Sequence, residues 1–147
     1  MVVKVGHRGA AGHEPENTLR SFRKALDLGA DMVELDVHLC GTGELVVIHD
    51  ETVDRTTDGS GSVRDMPFHE LRGLDAGKGE RIPTLREVLD LLEGRAGVNI
   101  ELKGPEYRRT GPRGDQRRHR ETGLEPRKHL GHIVPSGRVD GIERAVR

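Results

Sequence analysis

The sequence predicts an α/β fold. Three observations carry it: four short runs of strand-forming residues (2–6, 32–37, 45–48 and 98–103), two segments with apolar residues at helical spacing (16–28 and 84–93), and polar side chains gathered at the C-terminal ends of the runs.

The first run, Val2-Val3-Lys4-Val5-Gly6, reads as a buried strand that delivers His7, Arg8 and Gly9 at its end. A glycine-rich loop follows to Pro15. A helix then starts at Glu16, with Asn17 or Thr18 as its cap, Leu19, Phe22, Ala25 and Leu26 as its apolar stripe, and Gly29 as its stop. In Met32-Val33-Glu34-Leu35-Asp36-Val37 the two acids share one face of a strand and the valines and leucine the other. Two carboxylates on one buried face repel each other and lose water, so a cation or a set of donors must hold them ionised. From the hexapeptide alone, an acidic face turned to solvent is equally open.

Cys40-Gly41-Thr42-Gly43 leads to Leu45-Val46-Val47-Ile48 and then His49-Asp50. This link is too short for a crossover helix, which leaves a hairpin or an extended return beneath a parallel pair. A hairpin turn centred on Thr42 and Gly43 sets His49 across from Asp36; one centred a residue pair earlier sets it across from Glu34. Residues 51–81 predict little regular structure: a turn at 58–61 and one or two helical turns at 67–72. A connection of that length is either functional or disordered. Thr84 and Glu87 form a capping box, Leu85, Val88, Leu89 and Leu92 give the next helix its apolar stripe, and Gly94 ends it. In the last strand pattern, Asn99, Glu101 and Lys103 share a face.

A chain of 147 residues is expected to form one domain with a real core. A formal charge of −1 argues against nucleic acid as an obligatory partner, and no apolar run approaches a membrane span. The N-terminus runs straight into a strand pattern without the features of a signal peptide, so a cytoplasmic location is expected. A single cysteine, Cys40, excludes an internal disulfide and a thiolate metal cluster, and reads as a loop thiol. Charge is unevenly distributed. Residues 1–103 hold 13 Lys and Arg against 19 Asp and Glu, whereas 104–147 hold 11 against 6. The tail also loses hydrophobic periodicity, apart from slight apolar pattern at 124–133 and 142–146. We place a boundary near Gly104 and Pro105, with 105–147 expected to be irregular.

Ligands of parallel α/β folds bind at the carboxyl ends of the strands. Glu34, Asp36 and Glu101 gathered there make an all-oxygen site for a hard divalent cation, Mg²⁺ or Ca²⁺. His7 and His49 offer a proton donor and acceptor, and Arg8 and Lys103 offer positive charge to an anion. Such a set suits phosphoryl ester cleavage better than sugar or peptide chemistry. Each member also has a plain structural role open to it, such as a Glu101–Lys103 ion pair on an exposed strand. His13, His38 and His69 are read as structural or solvated.

Seven segments carry a resemblance: Gly6-His7-Arg8-Gly9, Pro15-Glu16-Asn17-Thr18, Glu34-Leu35-Asp36-Val37, Val46-Val47-Ile48-His49-Asp50, Arg55-Thr56-Thr57-Asp58-Gly59-Ser60-Gly61, Ile82-Pro83-Thr84-Leu85 and Asn99-Ile100-Glu101-Leu102-Lys103. In order and spacing they resemble the motif series of the glycerophosphodiester phosphodiesterases. The resemblance implies the N-terminal half of a TIM-type (β/α) barrel of the phosphatidylinositol-phospholipase-C-like kind over residues 1–104, with 51–81 as an insertion. It implies Glu34, Asp36 and Glu101 as ligands of the cation, His7 and His49 as the acid–base pair, Arg8 and Lys103 at the phosphate, and Asn17 and Asp50 in support. The implied reaction is hydrolysis of a small-molecule glycerophosphodiester to sn-glycerol 3-phosphate and an alcohol. Alternatives are an inactive barrel fragment that binds a cation or partner without turnover, and a related phosphodiesterase acting on phospholipid. A complete barrel takes about 250 residues, and the family pattern stops at Gly104. The expectation for 105–147 is a reading-frame change or truncation, a hypothesis that resequencing would remove by finding no family-like continuation in another frame.

Overall fold

The computed structural model describes residues 2–104 and 130–134. The expected irregular tail at 105–147 therefore lies outside the described residues, except for one strand.

Elements follow in the order β1 (Val5–His7), α1 (Leu19–Asp27), β2 (Met32–Leu39), β3 (Leu45–Val47), α2 (Phe68–Gly73), α3 (Leu85–Leu92), β4 (Gly97–Leu102) and β5 (Leu130–Val134). β2 is the centre of the sheet. β4 runs parallel along one edge of it, and β1 (parallel, at 32–34) and β3 (antiparallel, at 37–39) share the other. The ends of β1 and β3 thus meet head-on beside the segment that carries Glu34 and Asp36. β5 pairs antiparallel with β4, so a strand overlaps the end of the slight apolar pattern at 124–133, where no regular strand series was expected.

The two faces of the sheet differ sharply. Val33, Leu35, Val37, Val98 and Ile100 pack with Phe22 and Ala25 of α1 and Leu85, Val88 and Leu92 of α3 in one cluster, all nearly inaccessible. Period-two alternation turns Glu34, Asp36, His38, Asn99 and Glu101 to the opposite face. The helices form as their caps dictate. Thr18 accepts from the Ser21 N–H, and Thr84 and Glu87 satisfy each other's backbone in a complete capping box. Gly29 and Gly94 follow α1 and α3 with left-handed φ of 76° and 68°.

Two details depart from the sequence reading, and a third resolves a choice it left open. β1 is shorter than expected and open, with Val2, Val3 and Val5 87%, 57% and 53% exposed, because its described neighbours lie on one side only. The β2–β3 link is a hairpin, but its register pairs Val37 with Val47 and sets Ile48, not His49, across from Asp36; the Ile48 N–H donates to the Asp36 carbonyl at 3.0 Å. The cause is a three-residue loop centred on Thr42 alone, closed by Gly43 at φ 94°. The insertion, finally, is ordered. Val46 and Ile48 of the hairpin face Val53, Val63, Leu71, Ala76 and Ile82, a second apolar cluster that pins 51–81 against the polar side of the sheet.

Candidate active site

The site is built on β2. Asp36 is 1% exposed and Glu34 9%, and Glu101, paired with Asp36 in register on β4, completes a group whose carboxylate oxygens lie within 4.8 Å of one another. Burial pushes the Glu34 carboxyl up, and the charge on Asp36 pushes it further. Charge of the opposite sign is supplied at the rim. Lys103 Nζ donates to Glu101 Oε1 at 2.6 Å and stands 3.3 Å from Asp36 Oδ1. Burial works against the Lys103 charge, but the bond to Glu101 and the proximity of Asp36 outweigh it, and its pKa is raised. Arg8 Nε lies 3.4 Å from Asp36 Oδ2.

The loop after β1 brings Arg8 there by an unusual backbone path. Arg8 has φ 52°, in the left-handed region, and its N–H donates to Glu34 Oε2 at 3.1 Å. Its carbonyl accepts from the Asn17 N–H at 3.0 Å and from Ser21 Oγ at 3.1 Å. Gly9 is required next to it, since a Cβ there would stand 2.5 Å from Ser21 Oγ. Asn17 is also left-handed, φ 56°, and its Nδ2 donates to Asp36 Oδ2 at 3.1 Å. Non-glycine residues in this region mark places where surrounding contacts over-determine the backbone, and such places gather at active sites.

His7, at the end of β1 and across from Glu34, is exposed, with Nε2 3.7 Å from Glu34 Oε2. His49 reaches the site by another route. The chain leaves the β3 ladder after Val47, and the His49 carbonyl meets the Nε2 of buried His38, on the same face as Asp36, at 3.0 Å. His49 Nδ1 bonds Asp50 Oδ1 at 2.6 Å, and Arg55 then joins Asp50 to Glu16, which accepts from Arg8 Nη1 at 3.1 Å. His7, Arg8, Asn17, Glu34, Asp36, Glu101 and Lys103 therefore form one contiguous group, to which His49 and Asp50 are connected through side chains. His13 and His69 are exposed, and His13 lines a cavity together with His7.

Sequence reasoning gave Glu16 and Arg55 no part in the site and read His38 as structural or solvated; His38 is buried and bonds the His49 carbonyl. His38 had a signal, since it continues the period of Glu34 and Asp36 by one more step. Glu16 and Arg55 stand inside two of the quoted motifs, but 39 residues apart, and no local pattern joins them.

The donor set fits a hard divalent cation. It is all oxygen, its charges repel one another, and the buried Asp36 Oδ1 makes no hydrogen bond despite the nearby ammonium. Asn17 Oδ1 is likewise buried without a hydrogen bond.

The family model described as "Glycerophosphoryl diester phosphodiesterase family" matches residues 7–131. The chain belongs to this family. A glycerophosphodiester phosphodiesterase of Caldanaerobacter subterraneus is 52% identical over 107 residues, which is 67% of this chain and 44% of that protein. The crystal structure of a glycerophosphodiester phosphodiesterase from Agrobacterium tumefaciens superposes with a TM-score of 0.70 at 48% identity, covering 73% of this chain and 49% of that one. A phosphodiesterase of Oleispira antarctica, solved in complex with the product sn-glycerol-3-phosphate, gives 0.70 at 40% identity over 75% of this chain and 49% of its own. The chain thus spans about half the length of the relatives it matches, and its sheet is part of their TIM-type barrel. No helix among the described residues is long and apolar enough to cross a membrane.

Proposed function

We propose that this site belongs to a metal-dependent glycerophosphodiester phosphodiesterase, which hydrolyses a small glycerophosphodiester to sn-glycerol 3-phosphate and an alcohol. The observation that carries the reading is the meeting of Glu34, Asp36 and Glu101 within 4.8 Å, with Arg8 and Lys103 at their edge. Glu34, Asp36 and Glu101 would hold Mg²⁺ or Ca²⁺, and such an ion supplies positive charge to a phosphoryl oxygen and to the attacking group. Arg8 and Lys103 would balance the phosphate's remaining charge, and Asn17, which donates to Asp36, would keep that carboxylate oriented. His7, exposed at the rim, and His49, with Nδ1 committed to Asp50 and Nε2 left to exchange a proton, share the acid–base work. One accepts the proton of the attacking group, a glycerol hydroxyl or water, and the other protonates the departing alkoxide; where the hydroxyl attacks, water then opens the cyclic phosphodiester with the two roles exchanged, so no net proton is consumed by the protein. The bound sn-glycerol-3-phosphate of the Oleispira antarctica relative supports the choice of substrate class. The free thiol of Cys40 fits a reducing compartment, and a cytoplasmic location belongs to the same proposal.

The test is hydrolysis of glycerophosphocholine by the purified chain with Mg²⁺ or Ca²⁺, with EDTA, and with His7→Ala. Turnover that EDTA removes and that His7→Ala lowers by about a hundredfold or more supports the reading. Cation binding by calorimetry without turnover would favour the alternative of a binding fragment, and neither binding nor turnover would remove both.

A further inference from the structure

One side chain of the insertion lies where His49 needs support. Arg55 donates from Nε to Asp50 Oδ2 at 2.8 Å and from Nη2 to Asp50 Oδ1 at 3.0 Å. It turns its other edge to Glu16, with Nη1 to Oε2 at 3.1 Å and Nη2 to Oε1 at 2.7 Å. Two fork-to-fork pairs on one planar group fix the orientation of both carboxylates, which the point charge of a lysine does not reproduce. Both carboxyls are held below their ordinary range, with the bonds from Arg55 the largest cause in each. Asp50 is therefore an ionised acceptor facing His49 Nδ1 at 2.6 Å. A carboxylate has no proton to donate, so the hydrogen of the neutral imidazole sits on Nδ1 and the lone pair on Nε2. Glu16 in turn accepts from Arg8 Nη1, so a single guanidinium ties the end of β3 to the end of β1. As a surface ion pair Arg55, about half exposed, contributes little stability. What it supplies is geometry.

We propose that Arg55 is a positioning residue for His49, acting through Asp50 and braced by Glu16, and that it keeps the imidazole in the Nδ1–H tautomer with Nε2 free for proton transfer. The proposal deepens the functional reading above and rests on His49 as a proton-transfer group. The same contact gives the insertion a part in the chemistry: it carries the clamp that reaches back to Glu16 and, through it, to Arg8.

Long-range ¹H–¹⁵N spectra of the ring nitrogens in the 147-residue chain, recorded near pH 8 where an ordinary imidazole is neutral, read the tautomer without any need for turnover. The parent chain should show His49 as a single Nδ1–H form. Arg55→Ala should give averaged ring shifts of a mixed population, with the exposed His13 and His69 unchanged, and Arg55→Lys should fall between. If Arg55→Ala loses the native spectrum, Arg55→Lys carries the test by the same criterion. A His49 ring that is not Nδ1–H in the parent, or that stays fully Nδ1–H in the variant that folds, overturns the proposal. Where the parent turns over glycerophosphocholine, Arg55→Ala should lower kcat about 10- to 100-fold with little change in KM, and the lysine should restore part of it. An inactive parent would defeat the functional reading alone, and the ring spectra would still decide the role of Arg55.

Discussion

Asn17 combines a left-handed backbone, φ 56°, with a side-chain bond to the buried Asp36, so its two contributions can be separated by substitution. Glycine tolerates that φ and loses the bond; alanine loses the bond and adds strain, and a left-handed conformation costs an L-residue with a Cβ roughly 1–2 kcal/mol. Asn17→Ala should therefore be less stable than Asn17→Gly by about 1 kcal/mol in urea unfolding, after allowance for the greater chain entropy of glycine. Equal stabilities would mean that surrounding contacts, and not asparagine's own tolerance, hold the turn. The residue scale is also where the sequence was most and least legible. Glu34 and Asp36 stand out because their charges interrupt an apolar strand, and only a strand period can put both on one face. Arg55 does not stand out, because an arginine in an irregular polar loop has no period to break and its partner Glu16 lies 39 residues back.

Among the elements, α3 shows how local and tertiary interactions converge on one side chain. Glu87 completes the capping box of Thr84 and also takes two bonds from Arg72 of α2, at 2.8 and 2.5 Å. Keeping the cap hydroxyl with Thr84→Ser should change little, whereas removing it with Thr84→Ala should cost about 1 kcal/mol, measured by chemical denaturation. The pH dependence has a definite sign. Burial raises the Glu87 carboxyl, but the bonds from Arg72 and the Thr84 N–H outweigh it, and the folded pKa is lowered. Its contribution is thus fully present above the unfolded value near 4.3 and is lost as pH falls through the lower folded value. Glu87→Gln should flatten the fall of the urea midpoint between roughly pH 5 and 3; a variant with the parent's slope would contradict the assignment. These helices were readable because caps and apolar spacing are local. The exposure of β1 and the register of β3 were not, since the first depends on which strands lie alongside and the second on a single residue of loop length.

At the scale of the whole molecule, the sheet keeps its apolar side under α1 and α3 and its charged side around the three acids. The acids come from β2 and β4, which pair along 32–37, so an ion shared between them would link the two central strands as well as serve the chemistry. Any ligand bound only by the folded state stabilises it by mass action, about 2.7 kcal/mol at a hundredfold excess over Kd. For a chain of this size that corresponds to a rise in Tm of roughly 5–10 °C. Mg²⁺ or Ca²⁺ added to the EDTA-treated chain should produce such a rise, and an equal ionic strength of NaCl should not. Glu101→Gln should abolish most of the cation effect while removing one of three mutually repelling charges, so its metal-free Tm should not fall by as much as the loss of a half-buried, paired carboxylate alone would dictate. Equal responses of parent and variant to the divalent ion would place its binding elsewhere, and the strand-to-strand bridge would then have no part in holding the sheet.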